Sequence, residues 1–287
     1  MAGRRLASEP ELLRKGYTRA DFVRRREVLR ETLEAFETAD PKDKYQQLAA
    51  ANLHRWKNQS VGERPVGHVQ VVAGDWGAVT QALTMRHGAC FAVLNMANAY
   101  VPGGAYVEGA PAQEENIFRR TDCHFHVRST EYDEAMDSYR PEMTDLINAA
   151  NGSVYLDTKR PRTCIRGPED RTRENLGYRW LASDEIFPFY ELRAAAQDLR
   201  DGSGFDPDEA RRRIAAQLDT LVHGGVDHAV LGASGCGAFR NPPREVAQIY
   251  KEEIHSRRND FAVIAFAILS AGYGPDNAKY FLDAFAG

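Results

Sequence analysis

Apolar and amphipathic blocks alternate along the second half of the chain. Apolar runs at 228–232 and 261–269 predict buried strands. The blocks between and after them, 206–223, 243–257 and 275–285, have the apolar spacing of helices. Strands that alternate with helices of this length indicate a three-layer α/β domain with a largely parallel central sheet.

The same alternation begins earlier in the chain. Residues 69–72 predict a strand that Gly74 and Asp75 close, and residues 76–86 predict the helix that follows. Residues 89–96 are almost continuously apolar, which predicts a strand that is buried on both faces. A short helix is predicted over 114–121.

The N-terminal and middle segments have weaker patterns. Leu29, Leu33 and Phe36 have helical spacing, so residues 1–60 predict a helical extension and 61–287 the α/β domain. The middle region predicts four short strands and a polar loop: Cys123–Val127, Val154–Leu156, Thr163–Arg166 and Glu185–Tyr190 as strands, with 167–177 as the loop.

Two glycine-rich loops, 102–109 and 232–238, each follow a predicted strand. The carboxyl ends of parallel strands meet at one edge of a sheet, and ligands bind outside that edge. Glycine lets the backbone approach a ligand closely and point its N–H groups at oxygen atoms. Two such loops would suit a diphosphate. Neither the dinucleotide-binding nor the P-loop glycine fingerprint occurs, which disfavours a dehydrogenase or a kinase-like site.

Composition narrows the class of protein. An apolar content of 43% supports a sizeable core, and a net charge of −4 argues against a nucleic-acid partner. The arginine runs 24–26 and 211–213 predict solvated helix faces. The four cysteines lack paired spacing, residues 1–30 lack a secretory signal, and the longest apolar run, 261–271, is too short to cross a bilayer. These features predict a cytoplasmic protein without a membrane partner.

The segment N-A-Y-V-P-G-G-A, which starts at Asn98 and is followed by Gln113-Glu114-Glu115, resembles the signature of bacterial-type poly(ADP-ribose) glycohydrolases. That family belongs to the macrodomain fold. Residues 231–242 (L-G-A-S-G-C-G-A-F-R-N-P) resemble its diphosphate loop, and the 69–75 strand resembles the first strand of macrodomains. The resemblance covers roughly 66–122 and 226–285 and implies a macrodomain-like three-layer α/β/α fold with a mixed, largely parallel sheet and an N-terminal helical extension.

The family run departs from its usual form at one position. Ala105 occupies the place of the third glycine, and the bulky Tyr106 follows it. A Cβ at position 105 would disfavour a positive φ or narrow the pocket, which puts cleavage of the polymer in question. Residues 123–200 match no motif, and substrate specificity is one role open to them.

The resemblance implies catalytic roles for the two adjacent glutamates. Glu115 would protonate the leaving oxygen at the anomeric carbon of the distal ribose and then activate water, which needs a pKa raised by burial. Glu114 would hold a ribose hydroxyl, because adjacent helical residues point about 100° apart. The alternative is that both belong to a solvated helix N-terminus, where acidic residues are favourable.

The resemblance also implies the residues that bind ADP-ribose. Asn98 would reach the distal ribose, Phe239 would pack on it, and Asp75 would accept from the adenine amino group. The remaining ligand residues are Gly103, Gly104, Ala105 and Gln113 from the first segment, and Ser234, Gly235, Cys236, Gly237 and Ala238 from the second. The alternatives are a turn for Asn98, Gly103 and Gly104, core packing for Phe239 and Cys236, and a helix N-cap for Asp75.

No metal or other cofactor is predicted. His124 and His126 share a face of the predicted 123–127 strand, but the spacing supplies no further ligands. The segment 201–208 resembles a calcium loop only superficially, because Phe205 stands at a ligand position and a capped helix start explains the segment.

Three functions remain open. The first is a metal-independent ADP-ribosyl hydrolase that acts through Glu115 on ADP-ribosylated protein, as single units or as polymer. The second is a module that binds ADP-ribose on proteins without cleaving it, and the change at Ala105 is compatible with that loss. The third is a different nucleotide hydrolase that uses the same loops.

Overall fold

The computed structural model describes residues 17–60, 65–269 and 276–286. The α-helices within them are α1 (Arg19–Glu37), α2 (Lys44–Gln59), α3 (Trp76–His87), α4 (Gln113–Arg120), α5 (Pro141–Ile147), α6 (Pro207–His223), α7 (Pro243–Ser256) and α8 (Asn277–Phe285). The strands are β1 (His68–Ala73), β2 (Ala92–Met96), β3 (Tyr132–Asp133), β4 (Ser138–Tyr139), β5 (Tyr155–Cys164), β6 (Phe187–Ala194), β7 (His228–Leu231) and β8 (Val263–Ile268). Short 3₁₀ turns occupy Cys123–His126 and Leu199–Asp201.

Six strands form the central sheet, in the order β1-β8-β7-β2-β6-β5. Neighbouring strands are parallel except β5, which runs antiparallel to β6 at the edge. The predicted mixed, largely parallel sheet is therefore confirmed. Because β2 lies between β7 and β6, the segments that leave the carboxyl ends of these three strands start side by side.

Helices cover both faces of the sheet. On one face, α6, α7 and α8 bury their apolar sides with strand residues such as Leu94, Leu192 and Phe266. On the other face, α2, α3 and α4 pack with the alternate residues, such as Val93 and Phe189. Successive strand residues point to opposite faces, so strands covered on both sides need the continuous apolar runs seen in the sequence. The three-layer prediction is confirmed.

The predicted strand at Cys123–Val127 is wrong. The chain forms a 3₁₀ turn over 123–126. The backbone carbonyl oxygen of Asp122 accepts from the N–H of Phe125, and its side-chain Oδ1 accepts from the N–H of Thr163. His124 and His126 therefore do not share a strand face. His124 hydrogen-bonds Tyr106, whereas His126 lies against Asp122 and Arg162.

The other middle strands are longer than predicted. Val154–Leu156 and Thr163–Arg166 predict two strands, but they mark the two ends of β5, whose register with β6 shifts between Asp157 and Arg162. The strand predicted at Glu185–Tyr190 starts at Phe187 and continues to Ala194. The β3–β4 hairpin and α5 were not predicted, because their polar sequences carry no strong period.

The N-terminal helices α1 and α2 match the helical prediction for residues 1–60, of which 1–16 lie outside the described part. The helix predicted from Pro275 starts at Asn277, and Pro275 itself is also outside that part. In residues 17–60, 65–269 and 276–286, no helix combines the length and the hydropathy that crossing a bilayer requires.

Candidate active site

The two glycine loops start side by side at the carboxyl edge of the sheet. The first follows β2 and the second follows β7, its parallel neighbour. A Cβ on Gly232 would lie 3.4 Å from the terminal methyl group of Met96. The backbone N–H of Met96 donates to Oε1 of Gln113 at 3.0 Å. Met96 therefore joins the Gln-Glu-Glu segment to the start of the second loop.

Gln113 anchors the first turn of α4 to β2. Its Nε2 donates to the carbonyl oxygen of Leu94 at 2.7 Å while Oε1 accepts from Met96. Both polar atoms of the side chain are engaged with the strand backbone. Gln113 thus positions the helix that carries Glu114 and Glu115, which differs from the direct ligand contact that the sequence predicts.

Glu114 holds the first glycine loop in place. Its Oε2 accepts from the backbone N–H of Asn98 at 2.7 Å, and its Oε1 accepts from that of Gly103 at 3.1 Å. Both oxygens are therefore used by the loop backbone rather than open to a ribose hydroxyl. Burial, together with the charge of Glu115, raises the pKa of Glu114 well above its usual range.

Glu115 has a different environment from its neighbour. Its Oε1 accepts from the backbone N–H of Ala105 at 3.1 Å, whereas Oε2 is buried and has no hydrogen-bond partner among the described residues. Burial raises the pKa of Glu115, although the Ala105 N–H and the charge of Arg119 act in the opposite direction. A carboxyl group with a raised pKa and one uncommitted oxygen has the properties of a general acid. Neither glutamate is a solvated residue of a helix N-terminus, because both are almost completely buried.

Asn98 and the two loop glycines lie directly against the carboxyl groups of Glu114 and Glu115. The Asn98 Oδ1 accepts from the backbone N–H groups of Tyr100 and Val101, which makes the predicted turn. Gly103 has a φ of +70° and Gly104 a φ of +59°. A Cβ on Gly104 would lie 2.6 Å from Oε1 of Glu115, so any side chain at this position would displace that carboxyl.

If Glu115 is the acid of a hydrolase, as the sequence predicts, Gly104→Ala should reduce hydrolysis by about 100-fold, because a displacement of about 1 Å at the reacting carboxyl is enough for such a loss. The added methyl group would displace the Glu115 carboxyl from the Ala105 N–H. Initial rates of ADP-ribose release and the thermal midpoint measure the effect.

Gly152→Ala is the matched control for that variant. Gly152 has a comparable φ of +72°, but a Cβ there would meet no heavy atom within 4 Å. It carries the same backbone strain without the clash. Equal activity of the two variants would show that the contact with Glu115 does not matter.

The departure at Ala105 is accommodated. Ala105 does not adopt a positive φ, its methyl group is buried, and its N–H reaches Glu115. The ring of Tyr106 packs on Phe118 with centroids 4.8 Å apart, and its hydroxyl lies 2.8 Å from Nδ1 of His124. Burial raises the pKa of Tyr106 to about 12, so the hydroxyl remains protonated and can donate to His124. The backbone conflict that the sequence suggested at position 105 is absent.

The second glycine loop is fixed by Asn241, a residue of the diphosphate-loop motif that was not among the predicted site residues. Its Nδ2 donates to the carbonyl oxygen of Gln197 at 2.7 Å, and its backbone N–H donates to the carbonyl oxygen of Gly235. Gly235 has a φ of +73°, and a Cβ there would lie 2.5 Å from the Cβ of Ala196. The loop is therefore packed tightly against the segment that follows β6.

Residues 234–239 divide into a buried and an open part. Ser234 and Cys236 are buried, and Gly237 and Ala238 are exposed. Burial raises the pKa of the Cys236 thiol to about 12, which is unsuitable for a nucleophile. The half-buried Phe239 lies with its ring 4.8 Å from the Arg200 guanidinium carbon. The open backbone of 237–238, together with the face of Phe239, is the part of this loop that a ligand can reach.

Asp75 is the N-cap of α3. Its Oδ1 accepts from the backbone N–H groups of Gly77 and Ala78, and both of its oxygens accept from Nη1 of the buried Arg120. The contacts of Asp75 in the structure are therefore those of a helix N-cap, the alternative role that the sequence suggested. A contact between Asp75 and adenine stays a prediction.

A buried charged network beneath Glu114 was missed by the sequence analysis. Glu191 accepts from Arg193 and Arg162, and all three side chains are fully buried. The charge of Arg193 acts to lower the pKa of Glu114, but burial outweighs it and the pKa stays raised. The alternation of Glu191 and Arg193 with apolar neighbours was the available signal, but the predicted strand ended at Tyr190.

The helix α1 packs against the same region from outside. Arg26 donates to the carbonyl oxygen of Glu108 at 3.3 Å. A Cβ on Gly109 would lie 2.5 Å from the carbonyl oxygen of Phe22. Thr32 donates from Oγ1 to the carbonyl oxygen of Arg119, on α4. The first helix thus supports both the glycine loop and the helix that carries Glu115.

Comparison with known proteins gives one matching family model and several structures of the same fold. A model of the microbial-type PARG catalytic domain matches residues 22–148, which include most of α1, the first glycine loop and α4. The poly(ADP-ribose) glycohydrolase (PARG) of Thermomonospora curvata aligns with a TM-score of 0.64 at 23% identity, over 91% of this chain and 99% of that chain. Its structure bound to the inhibitor ADP-HPD gives a TM-score of 0.61 at 22% identity, over 91% and 99%.

The Deinococcus radiodurans PARG in complex with ADP-ribose aligns with a TM-score of 0.55 at 23% identity, over 84% of this chain and 91% of that chain. A search of curated proteins gave no match. Residues 22–148 are therefore similar to the microbial-type PARG catalytic domain, and the fold of the chain is that of the bacterial PARG structures.

Proposed function

We propose that the chain is an ADP-ribosyl hydrolase that cleaves the glycosidic bond at the anomeric carbon of the distal ribose and releases ADP-ribose from modified protein. The observation that carries the proposal is the buried carboxyl of Glu115, which has one oxygen fixed by Ala105 and the other without a partner. Two relatives of the same fold bind ADP-ribose or the inhibitor ADP-HPD.

In the proposed reaction, Glu115 acts first as acid and then as base. Burial raises its pKa and so favours the protonated form, whose proton goes to the leaving oxygen as the bond to the anomeric carbon breaks. The resulting carboxylate then takes a proton from the attacking water. The Ala105 N–H stabilises that carboxylate by a charge-assisted hydrogen bond.

The remaining predicted residues would hold the substrate rather than react. Glu114 would keep the loop from Asn98 to Gly103 in the shape of the distal ribose. The open backbone of 237–238 would donate to the diphosphate, aided by the N-terminus of α7. Phe239 would pack against the ribose. No step in this scheme draws on a metal ion or another cofactor.

Release assays on a panel of defined linkages test the proposal. The panel contains poly(ADP-ribose) and proteins with one ADP-ribose on Ser, Thr, Arg, Glu or Asp, and mass spectrometry identifies the product. Free ADP-ribose from at least one linkage is the expected result. Binding of ADP-ribose without release from any linkage would favour the non-catalytic binding module, and AMP would indicate cleavage at the diphosphate instead.

A further inference from the structure

A buried arginine lies one helical turn after Glu115. Arg119 follows Glu115 by four residues on α4, and residues with this spacing share a face of a helix. Its side chain is fully buried. It forms no ion pair with any residue that the structure describes, whereas the next residue, Arg120, is paired with Asp75 at 2.9 Å. A buried charge without a direct partner is costly, so its stabilisation must come from longer-range contacts.

Arg119 is connected to Glu115 through the backbone of residues 105–110. Its Nη1 donates to the carbonyl oxygen of Ala110 at 2.7 Å. The N–H of Ala110 donates to the carbonyl oxygen of Ala105 at 3.2 Å, and the N–H of Ala105 donates to Oε1 of Glu115 at 3.1 Å. Each of these bonds donates in the direction of Glu115. The partial charges along the chain of bonds therefore favour a carboxylate at its end.

The other side of the guanidinium group is fixed by a second chain of hydrogen bonds. Nε of Arg119 donates to the hydroxyl of Tyr178 at 3.2 Å, and that hydroxyl donates to Oε2 of Glu169 at 2.5 Å. Glu169 accepts in turn from Nε and Nη2 of Arg25, on α1. Arg25 and Tyr178 are almost completely buried. Arg119 is thus held between the helix α1 and the turn that carries Ala105.

The charge of Arg119 is directed toward Glu115 more than toward a partner of its own. Its Nη2 is buried and has no hydrogen-bond partner among the described residues. Burial raises the pKa of Glu115, and the charge of Glu108 acts in the same direction, whereas a backbone N–H and the charge of Arg119 act to lower it. The other charged groups here are Glu114, on α4, and Arg26 of α1, which donates to the carbonyl oxygen of Glu108. Arg119 is therefore a cation that favours the carboxylate form of Glu115.

We propose that Arg119 is a positioning residue of the reaction, which fixes the turn 105–110 against Glu115 and stabilises the Glu115 carboxylate after its proton has left. The inference rests on the proposed function. The proton given to the leaving oxygen converts Glu115 into an anion in a buried site, and a cation nearby reduces the cost of that step. Arg119 does not touch the substrate, because its side chain is fully buried.

Arg119→Gln, which removes the charge and shortens the side chain, tests the inference. The substrate is poly(ADP-ribose), or the singly modified protein that the wild type cleaves fastest where the polymer is not cleaved. The kcat should fall on the order of 10-fold, because the turn no longer holds the Ala105 N–H against Glu115, while KM changes by less than about twofold. The alkaline limb of kcat/KM reports the acid of the free enzyme. It should move to higher pH, because loss of the cation favours the protonated carboxyl.

Arg119→Lys separates the charge from the geometry. An ammonium group keeps the charge but cannot span Ala110 and Tyr178 at once. The alkaline limb should therefore stay at its wild-type pH, while kcat lies between those of the wild type and Arg119→Gln. If Arg119→Gln does not fold, this variant decides, and a wild-type kcat in it would overturn the inference.

Tyr178→Phe is the structural control. It removes the hydroxyl that accepts from Arg119 and donates to Glu169, but it leaves the charge of Arg119 and the bond to Ala110. Its thermal midpoint should fall, while the alkaline limb of kcat/KM stays in place. A limb that moves equally in Tyr178→Phe and Arg119→Gln would show a structural effect only, and the inference would be wrong.

Titration of Glu115 without turnover separates this inference from the proposed function. Carbon-13 NMR of labelled glutamate carboxyl groups follows the titration, and the spectrum of Glu115→Gln identifies the signal. The midpoint should be higher in Arg119→Gln than in the wild type. An unchanged midpoint would overturn the inference, also where the wild type hydrolyses its substrate. A raised midpoint in the variant, with no release of ADP-ribose by the wild type, would overturn the proposed function alone.

Discussion

Glu115→Gln should slow ADP-ribose release by about 100-fold or more, the size of effect expected when general acid–base catalysis is removed. Glutamine keeps the shape of the side chain, and its Oε1 can still accept from the Ala105 N–H. Its amide replaces only the oxygen that has no partner in the structure. It cannot supply a proton to a leaving oxygen. Single-turnover release of ADP-ribose, compared with ADP-ribose affinity, separates a loss of chemistry from a loss of binding.

The same variant should be more stable than the wild type at pH 7. Because the pKa of Glu115 is raised above its ordinary 4.5 in the folded state, the wild type loses stability as pH rises from 4.5 through that raised value. Glutamine has no charge to bury. Its thermal midpoint at pH 7 should be higher by about 2–4 °C, the shift expected for about 1 kcal/mol in a domain of this size. The difference should shrink toward pH 4.5.

Glu114→Gln is the control for both effects. Both oxygens of Glu114 accept from backbone N–H groups, so an amide nitrogen must face one of those donors. That variant should bind ADP-ribose more weakly and gain less stability at pH 7 than Glu115→Gln. A Glu115→Gln protein that still cleaves at the wild-type rate would contradict the assignment of the acid. A fall in its thermal midpoint would contradict the raised pKa.

Much of the sheet could be predicted from the sequence because β2, β7 and β8 are buried on both faces. Such strands need apolar residues at every position, and the segments 89–96, 228–232 and 261–269 have them. Their connecting helices have clear ends, such as the caps at Asp75 and Asp206. The positions of both glycine loops follow directly from these elements.

The β6–β5 side of the sheet could not be predicted, because several of its buried residues are charged. Arg162, Glu191 and Arg193 are fully buried as ion pairs with one another. Because charged residues have low hydropathy, the sequence pattern predicts that these positions are exposed. In β5 the sequence 157–161 is polar and contains a proline, which breaks the strand pattern at the register shift. The prediction therefore divided one strand into two and ended β6 early.

The candidate site likewise has features that could be predicted from the sequence and features that could not. The spacing of Gly103, Gly104, Glu114 and Glu115 was enough to place them together, because local sequence and a known motif fix it. Which glutamate holds the loop and which keeps a free oxygen depends on contacts with residues 98–105 in three dimensions. The capping role of Asp75 and the anchoring role of Gln113 likewise depend on partners, Arg120 and Leu94, that no spacing indicates.

Glu191→Gln should destabilise the protein by about 3–5 kcal/mol at pH 7, the cost of leaving buried charges without their partner. Glu191 accepts two hydrogen bonds from Arg193, one from Arg162 and one from Asn95. Burial alone would raise its pKa, but the charges of Arg193 and Arg162 outweigh it and lower the pKa to about 2. A neutral amide in its place would leave two buried guanidinium groups undercompensated. Chemical denaturation at pH 7 measures the loss.

Glu185→Gln is a matched control, because the pKa of Glu185 is also lowered to about 2, here by its hydrogen bonds to Arg179 and a backbone N–H. That pair is largely exposed, so water screens it and its removal should cost less than about 1 kcal/mol. Both wild-type carboxylates stabilise the fold above pH 4.5, and that contribution disappears as pH falls toward 2. The wild type should therefore lose its advantage over Glu191→Gln in that same range. Equal costs for the two variants at pH 7 would mean that the buried ion pairs beneath Glu114 contribute no more to stability than an ordinary surface pair.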